Sequence, residues 1–237
     1  MKILVNHLTR MHGGHICVAG IDVESGLHVR PVPEHAGMAC HFLARYGGPF
    51  DMARIVSLGK PRCIPNPPHI EDVAFVAPWA RMERIASAAE FWAVLDRSAA
   101  TRLCDIFGSD LTKVGPFAYG TEVGCGRASL GFLRPDRPPE LYLEVASPGK
   151  ARIRIRFGDG AIQAEAGVTD LRLYQADHAT PNAAIVRAAN RWIETSRGVI
   201  LGVGLTREFR SSDKHPYLHW LQVNNVHLPE DPTWALG

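Results

Sequence analysis

Two copies of the tripeptide Leu-Thr-Arg lie near opposite ends of the chain, each at the end of an apolar stretch. The segments Ile3–Arg10 and Ile200–Arg207 are identical at five of eight positions. A threonine hydroxyl beside a guanidinium offers a hydrogen bond and a positive charge to a phosphate backbone. The alternative is that threonine only favours a strand and the arginine is solvated. If the segments are neighbouring strands, one groove receives four candidate nucleic-acid-binding side chains: Thr9, Arg10, Thr206 and Arg207.

The most distinctive polar run is His219–Leu228, in which carboxamides and an indole interrupt apolar residues. Asparagine and glutamine amides can read base edges, and a tryptophan ring can stack on a base. Strict strand alternation puts Gln222 and Asn224 on one face and Asn225 on the other. The alternative is that the tryptophan belongs to the core and the two asparagines form a turn. The candidate binding residues of this run are His219, Trp220, Gln222, Asn224 and Asn225.

Arginines also recur along predicted strand faces. Arg152, Arg154 and Arg156 alternate with apolar residues, so they share one face at spacings of about 7 Å. This arginine ladder matches the spacing of a phosphate backbone, although an ordinary solvent-exposed face has the same pattern. In the predicted third strand, His28 and Arg30 likewise share a face. These five residues complete the candidate nucleic-acid-binding set.

Metal and covalent chemistry have weaker support in the sequence. The His-x-x-His-x-Cys run at residues 12–17 could supply zinc ligands, but no second ligand pair has a recognised spacing. Cys40 and His41 are adjacent, and adjacency does not give the geometry of a nucleophile and its base. Gly124-Cys125-Gly126 is a single G-x-G without a convincing helix after it. We therefore expect no metal and no cofactor, and we assign no catalytic residue.

The composition is that of a globular protein with an unusual preference for arginine. The 237 residues include 21 arginines and five lysines, with a formal net charge of only +2. Arginine grips phosphate bidentately and stacks on bases, although a GC-rich genome also replaces lysine by arginine throughout. The hydrophobic and charged fractions, 46% and 21%, exclude a disordered tail.

The cysteines and the hydropathy pattern predict a cytoplasmic location. The five cysteines are odd in number and contain no CxxC pair, which indicates a reducing compartment rather than a disulfide framework. No apolar run approaches the length of a membrane span, and the first residues do not resemble a signal peptide. We therefore expect no membrane partner.

Each half of the chain combines several predicted strands with one substantial helix. The predicted strands of the first half cover residues 2–8, 16–23, 27–32, 53–58 and 72–76. Those of the second half cover residues 141–145, 151–157, 161–166, 168–174, 199–205 and 217–228. One helix follows an apolar stripe from Met82 to Leu95, and the other starts with Thr180 as N-cap and ends near Ser196. A β-dominated α+β fold built from small barrels fits this pattern.

A proline-rich segment, Arg134–Pro139, is the best candidate for a linker between two domains. We predict an N-terminal domain at residues 1–133 with a helical insertion, a linker at 134–140 and a C-terminal domain at 141–237. Residues 108–131 are rich in glycine and predict a long loop with one or two short strands.

Several of these segments together resemble the dual OB-containing domain family. They are Leu8–Arg10, Gly20–Asp22, Gly26–Val32, Leu205–Arg207 and His219–Val226. The resemblance covers nearly the whole chain, with its pieces at the two ends. It implies two OB-like small β-barrels, a bacterial source, nucleic-acid binding and a link to anti-phage conflict systems. It carries over no catalytic residue.

Three hypotheses about function follow. Single-stranded DNA or RNA is the favoured ligand, because OB barrels combine a basic groove with stacking aromatic rings. An enzyme acting on a nucleotide or modified base is the first alternative, and a deep cleft lined by His7, His28 and Asp22 would favour it. A protein-interaction module in a defence or processing complex is the second, and the lack of a basic groove would favour it. The deciding observation is whether six arginines converge: Arg10, Arg30, Arg152, Arg154, Arg156 and Arg207.

Overall fold

The computed structural model describes residues 1–35, 37–147, 150–211 and 216–234. The first seven strands are β1 (Lys2–Arg10), β2 (Ile16–Asp22), β3 (His28–Pro33), β4 (Arg54–Ser57), β5 (Arg62–Cys63), β6 (Asp72–Phe75) and β7 (Arg81–Ile85). Within the described residues they form one sheet in the order β5-β6-β3-β2-β1-β4-β7. The N-terminal strand β1 therefore lies inside this sheet rather than at its edge.

A second sheet contains the remaining strands. They are β8 (Ala99–Ala100), β9 (Thr112–Lys113), β10 (Tyr119–Glu122), β11 (Leu130–Leu133), β12 (Glu140–Ser147), β13 (Lys150–Gly158), β14 (Gln163–Val168), β15 (Ile200–Leu205) and β16 (Leu218–His227). Its main path is β12-β13-β14-β16-β15-β11-β8, and β10 joins β9 to β16. The long strand β16 thus pairs with three others, which fixes the polar run in the middle of the sheet.

Three α-helices complete the described part of the chain: α1 (Ala88–Ser98), α2 (Leu103–Phe107) and α3 (Ala183–Thr195). The hydroxyl of Ser87 accepts a hydrogen bond from the Glu90 N–H at 3.2 Å and caps α1. The Asn182 carboxamide caps α3 in the same way. Helix α3 is amphipathic and turns Val186 and Ile193 into the second core.

Each sheet covers an apolar core, and the two cores meet. The first contains Ile3, Val5 and Phe50, and the second contains Ile155 and Val203. Phe132 of β11 and Ile200 of β15 belong to the second sheet but pack in the first core. The two sheets are therefore joined by packed side chains and not by a linker alone.

The predicted β-dominated α+β fold, with one substantial helix in each half, is confirmed. Neither sheet closes on itself in the part of the chain that the structure describes, so the word barrel applies only loosely. The division at residues 134–140 stays a prediction. Strands β8 to β11, which precede it, pair within the second sheet. None of the described helices is long and apolar enough to cross a membrane.

The predicted helix from Met82 to Leu95 is wrong in its first turns. Met82 and Ile85 lie in the edge strand β7, where both side chains are exposed and the backbone pairs with β4. Two apolar residues three positions apart are too few to establish a helical period, and the helix starts only after the cap at Ser87. The alternating segment 168–174 is also not a strand throughout. Leu171–Leu173 forms a 3₁₀ turn because the Asp170 carboxylate accepts the Arg172 N–H at 3.1 Å.

A smaller expectation also changes, because helix α3 is capped by Asn182 rather than by Thr180. Proline is typical of an edge or a strand end, and Pro31 lies in β3, between β2 and β6. The pairing of β3 with β2 ends at Val29, so the missing N–H of Pro31 interrupts no hydrogen bond to β2.

Candidate functional site

The inner strand β1 also forms the contact between the two sheets. Its pairing with β4 covers only residues 2–4. Further along this strand, the Asn225 side chain bonds to the Leu8 backbone, and the Arg10 N–H donates to the Thr169 carbonyl at 2.9 Å. An isolated bridge between Thr9 and Asp170 lies between these contacts. The first Leu-Thr-Arg segment is therefore held against the second sheet.

A cavity of about 760 Å³ opens where the sheets meet. Both Leu-Thr-Arg segments reach it, and four of its lining residues are Thr9, Arg10, Thr206 and Arg207. Thr9 is buried and Arg207 is exposed, so the segments contribute both a floor and a rim. Apolar lining comes from Ile16, Met38, Leu130 and Leu205. The two ends of the sequence thus build one site.

One carboxylate connects two of the cavity's arginines. Asp72 Oδ1 accepts from Arg30 Nε and Asp72 Oδ2 accepts from Arg207 Nη2, both at 2.6 Å. The Asp72 and Arg30 side chains are only 5% and 7% exposed, whereas Arg207 is 48% exposed. Two guanidinium groups share one negative charge, so this cluster carries a net positive charge beside the cavity.

The buried Arg30 stays charged and is incompletely hydrogen-bonded. Burial alone would lower the pKa of its guanidinium, but Cys17 and the Asp72 carboxylate raise the pKa above its ordinary value. Its Nη2 is buried and has no hydrogen-bond partner among the described residues. A buried cation with an unsatisfied nitrogen is costly unless a further acceptor reaches it.

Arg10 is positioned from the second half. Its Nε donates to the His178 carbonyl at 3.0 Å, and its guanidinium carbon lies 5.0 Å from the centre of the Tyr174 ring. These two contacts hold the arginine at the cavity wall without a carboxylate partner at Nε. The charge is therefore placed by a carbonyl and a ring, neither of which neutralises it.

The opposite wall of the cavity carries the carboxamides of β16. Gln222 Nε2 donates to Asn224 Oδ1 at 2.7 Å, and both residues line the cavity. The register against β15 shifts at Asn224, so a bulge sits at this point of the strand. Gly204 faces the amide so closely that a Cβ there would lie 2.5 Å from Asn224 Nδ2. The glycine in the repeated segment therefore makes room for this side chain.

The other predicted residues of the polar run lie away from the cavity lining. His219 is buried, with Nδ1 at 2.9 Å from the Thr206 carbonyl oxygen. Trp220 is half-buried and its Nε1 donates to the Phe209 carbonyl at 3.0 Å. Asn225 is fully buried and bonds to β1. These three side chains support the cavity wall, whereas Gln222 and Asn224 line the cavity itself.

His28 lies in the interior rather than at the cavity. Its ring centre is 5.1 Å from that of Phe132 and 5.9 Å from that of His7, and burial lowers the pKa of His28 to about 4. Asp22 instead caps a turn by accepting from the Ser25 hydroxyl at 2.7 Å. None of the three residues that would line an enzyme's cleft is among the described residues that line the 760 Å³ cavity.

The arginine ladder is paired with acidic side chains. Arg154 lies 3.0 Å from Glu165, and Arg156 lies 2.8 Å from the same carboxylate. The neighbouring strand β12 places Glu144 opposite Arg152 in the register. Of the described residues that line the cavity, none belongs to the ladder. The ladder is a mixed-charge face, and only three of the six arginines converge: Arg10, Arg30 and Arg207.

Two residues that shape the site, Asp72 and Phe209, are absent from the predicted set. Asp72 is 42 residues from Arg30 and 135 from Arg207, so no local pattern could connect the three. Phe209 also lines the cavity and is 44% exposed. An aromatic residue two positions after Arg207 was visible in the sequence. No group of three or more described His, Cys, Asp or Glu residues could hold a metal ion.

Comparison with known protein families gives a match over nearly the whole chain. The model of the dual OB-containing domain matches residues 1–226. No curated protein matches the chain.

Proposed function

The chain belongs to the dual OB-containing domain family, and from this premise we propose that it binds single-stranded nucleic acid at the cavity between its two sheets. The observation that carries the proposal is the convergence of Arg10, Arg30 and Arg207 on the lining of one cavity. Among the described residues, two carboxylates accompany these three guanidinium groups: Glu208 in the lining, and Asp72, which pairs with Arg30 and Arg207. Such an excess of positive charge in a concave site attracts phosphate.

The size of the cavity favours a single strand over a duplex. A volume of about 760 Å³ is typical of sites that enclose one small ligand. One unstacked nucleotide of a single strand fits such a space. The bases of a duplex stay paired and stacked, and its backbone needs a longer surface than this cavity offers. Arg207 at the rim is placed to hold the phosphate while the base enters.

Polar and aromatic groups are available for the base. The carboxamides of Gln222 and Asn224 offer both donors and acceptors, as base edges require. The Thr206 hydroxyl oxygen accepts from the backbone N–H of Trp220 at 2.9 Å, and the hydroxyl can still donate its own hydrogen to a base. The exposed ring of Phe209 supplies a stacking surface at the same cavity.

The test measures the binding of labelled single-stranded DNA, single-stranded RNA and duplex DNA by fluorescence anisotropy at several salt concentrations. Arg207→Ala should weaken single-strand binding about tenfold, because it removes a charged hydrogen bond, and should reduce the salt slope by about one. Arg197→Ala is the matched control, since Arg197 is also exposed and paired with one acid, Glu230, at 3.3 Å. Unchanged affinity in Arg207→Ala would contradict the proposal.

A ladder variant distinguishes the cavity from the other arginine-rich face. Replacement of Arg152, Arg154 and Arg156 by alanine should leave single-strand affinity within about twofold of the wild type, because none of the three lines the cavity and the charges of Arg154 and Arg156 are paired with glutamates. Loss of binding in this variant alone would move the interface to β13.

The proposal extends to a cytoplasmic protein of a bacterial defence or nucleic-acid-processing complex with a protein partner. The cysteines support a reducing compartment, since all five are free. The defence context is supported by the family resemblance. The test is phage plating on bacteria that carry the wild type or Arg207→Ala, and equal plating efficiency on both would argue against a defence role for the cavity.

A further inference from the structure

A cysteine and a histidine from opposite halves meet outside the cavity lining. The Cys40 sulfur lies 3.0 Å from His178 Nδ1, and its second neighbour is the Gly14 carbonyl oxygen at 3.1 Å. Cys40 starts a 3₁₀ turn of the first half and is partly exposed. The two residues are 138 positions apart, so the contact exists only in the folded chain.

The histidine is held in place from its backbone. His178 has a left-handed φ of 54°, which is uncommon for a residue other than glycine. Its N–H donates to the Gln175 carbonyl at 2.9 Å, and its own carbonyl accepts from Arg10 Nε at 3.0 Å. The adjacent Asp177 carboxylate accepts from the N–H groups of residues 179 and 180 and fixes the turn. The ring is therefore aimed at the sulfur by a rigid segment.

The protonation state of the histidine suits a base. Burial, followed by the charge of Arg45, lowers the pKa of His178, so the ring is neutral near physiological pH. A neutral imidazole has one nitrogen that accepts a proton. In the tautomer that carries its proton on Nε2, Nδ1 faces the sulfur as an acceptor at hydrogen-bond distance.

We propose that Cys40 is a nucleophilic thiol activated by His178 and that hydrogen peroxide oxidises it to a sulfenic acid. Nδ1 takes the thiol proton as the sulfur attacks one oxygen of the peroxide. A sulfur–oxygen bond forms and the oxygen–oxygen bond breaks, and the departing hydroxide receives the proton from His178 to become water. The sulfur loses two electrons and the peroxide gains them.

The other cysteines provide an internal comparison. Cys63, Cys104 and Cys125 are exposed, and among the described residues none of them has a histidine contact. Cys17 is partly buried beside Thr9, and desolvation raises the pKa of its thiol. If exposure alone set the rate of thiol modification, Cys40 would react more slowly than the three exposed cysteines. If activation by His178 sets the rate, Cys40 reacts fastest. Measured rates therefore distinguish the two.

Oxidation also has a structural consequence. The sulfur lies 3.0 Å from His178 Nδ1 and 3.1 Å from the Gly14 carbonyl oxygen, and oxidation removes the thiol hydrogen through which it bonds to one of them. The contact with His178 joins the two halves, and its loss loosens them at this point.

The experiment measures alkylation of each cysteine in the native protein by limiting iodoacetamide near neutral pH, with peptide mass spectrometry as the readout. Cys40 should react about tenfold faster than the average of the three exposed cysteines. His178→Asn should remove this excess, and asparagine tolerates the positive φ. His41→Asn, the sequence neighbour, is the control and should leave the rate unchanged.

Peroxide oxidation is then followed with a dimedone probe that traps sulfenic acids. The label should appear first on Cys40 in the wild type and fail to do so in His178→Asn. In urea-unfolded protein the rates of all five cysteines should become similar, since the fold creates the difference. A Cys40 rate at or below that of the exposed cysteines, or one that His178→Asn does not change, would overturn the proposal.

Discussion

The side-chain amide of Asn225 takes the place of a neighbouring strand for Leu8. Asn225 Oδ1 accepts the Leu8 N–H at 3.1 Å, and its Nδ2 donates to the Leu8 carbonyl at 3.2 Å. The two residues are 217 positions apart, and both are buried. One carboxamide thereby satisfies both backbone groups of Leu8 and holds the first Leu-Thr-Arg segment against the second sheet.

Asn225→Ala should therefore destabilise the protein by about 2 to 4 kcal/mol, because two buried backbone groups lose their partners. Urea unfolding of the wild type and the variant measures the change. Asn66→Ala is the control, since Asn66 is exposed and should tolerate the change. A loss of stability no larger than that of the control would show that water or another group satisfies Leu8.

Gly204→Ala should cost about 1 to 3 kcal/mol, because the new methyl group would lie 2.5 Å from Asn224 Nδ2 and force that side chain or β15 to move. Urea unfolding again gives the free energy. Gly198→Ala is the matched control, because a Cβ at Gly198 meets no atom within 4 Å. Equal stability of the two variants would mean that the carboxamide has room to turn away.

Acid should destabilise the fold through its buried histidines. Burial lowers the pKa of His28 and of His227 from 6.5 to about 4. Between pH 4 and pH 6.5 the unfolded chain therefore binds more protons than the folded chain. The contribution of the two neutral histidines to folding stability is complete above pH 6.5 and is lost as the pH falls towards 4. Each histidine contributes roughly 3 kcal/mol at most. Urea midpoints measured across this range should fall with pH.

His227→Gln should flatten this dependence, because glutamine does not titrate. His41→Gln, at an exposed histidine, should leave the pH dependence as in the wild type. The prediction fails if both variants lose stability with pH as steeply as the wild type.

Asp72→Asn should destabilise the protein by about 3 to 5 kcal/mol, because it leaves the buried Arg30 guanidinium without a counter-charge. Thermal or urea unfolding measures the loss. Asp96→Asn is the control: Asp96 pairs with Arg134 at 2.6 Å, but both side chains are largely exposed, and little change is expected. Similar behaviour of the two variants would indicate that solvent reaches Arg30.

The sequence predicted those parts of the molecule that depend on local pattern. Apolar runs and alternation located β1, β13 and β16, and the repeated Leu-Thr-Arg segments indicated two strands at one site. Strand β7 was mistaken for the start of a helix because two apolar residues three positions apart do not establish a helical period in so short a segment.

The sequence could not predict contacts between distant residues. Asp72 sits in a short strand without a motif, and its role exists only because β6 lies beside Arg30. Cys40 was considered with its neighbour His41, whereas the fold gives it His178. The charge on the ladder was visible, but the ion pairs of Arg154 and Arg156 with Glu165 require the pairing of β13 with β14. In each case the partner is set by how distant segments pack together, which the local sequence does not encode.

The placement of the cavity between β1 and the β15–β16 pair has a consequence for synthesis. The ribosome makes one wall first and the other wall last, with most of the chain between them. Until residues 200–227 have left the ribosome, the Leu8 backbone lacks the amide of Asn225, and the cavity beside Arg10 lacks the wall that β15 and β16 form. A nascent or prematurely terminated chain therefore carries the first Leu-Thr-Arg segment without the complete cavity, and the cavity forms only when translation has passed β16.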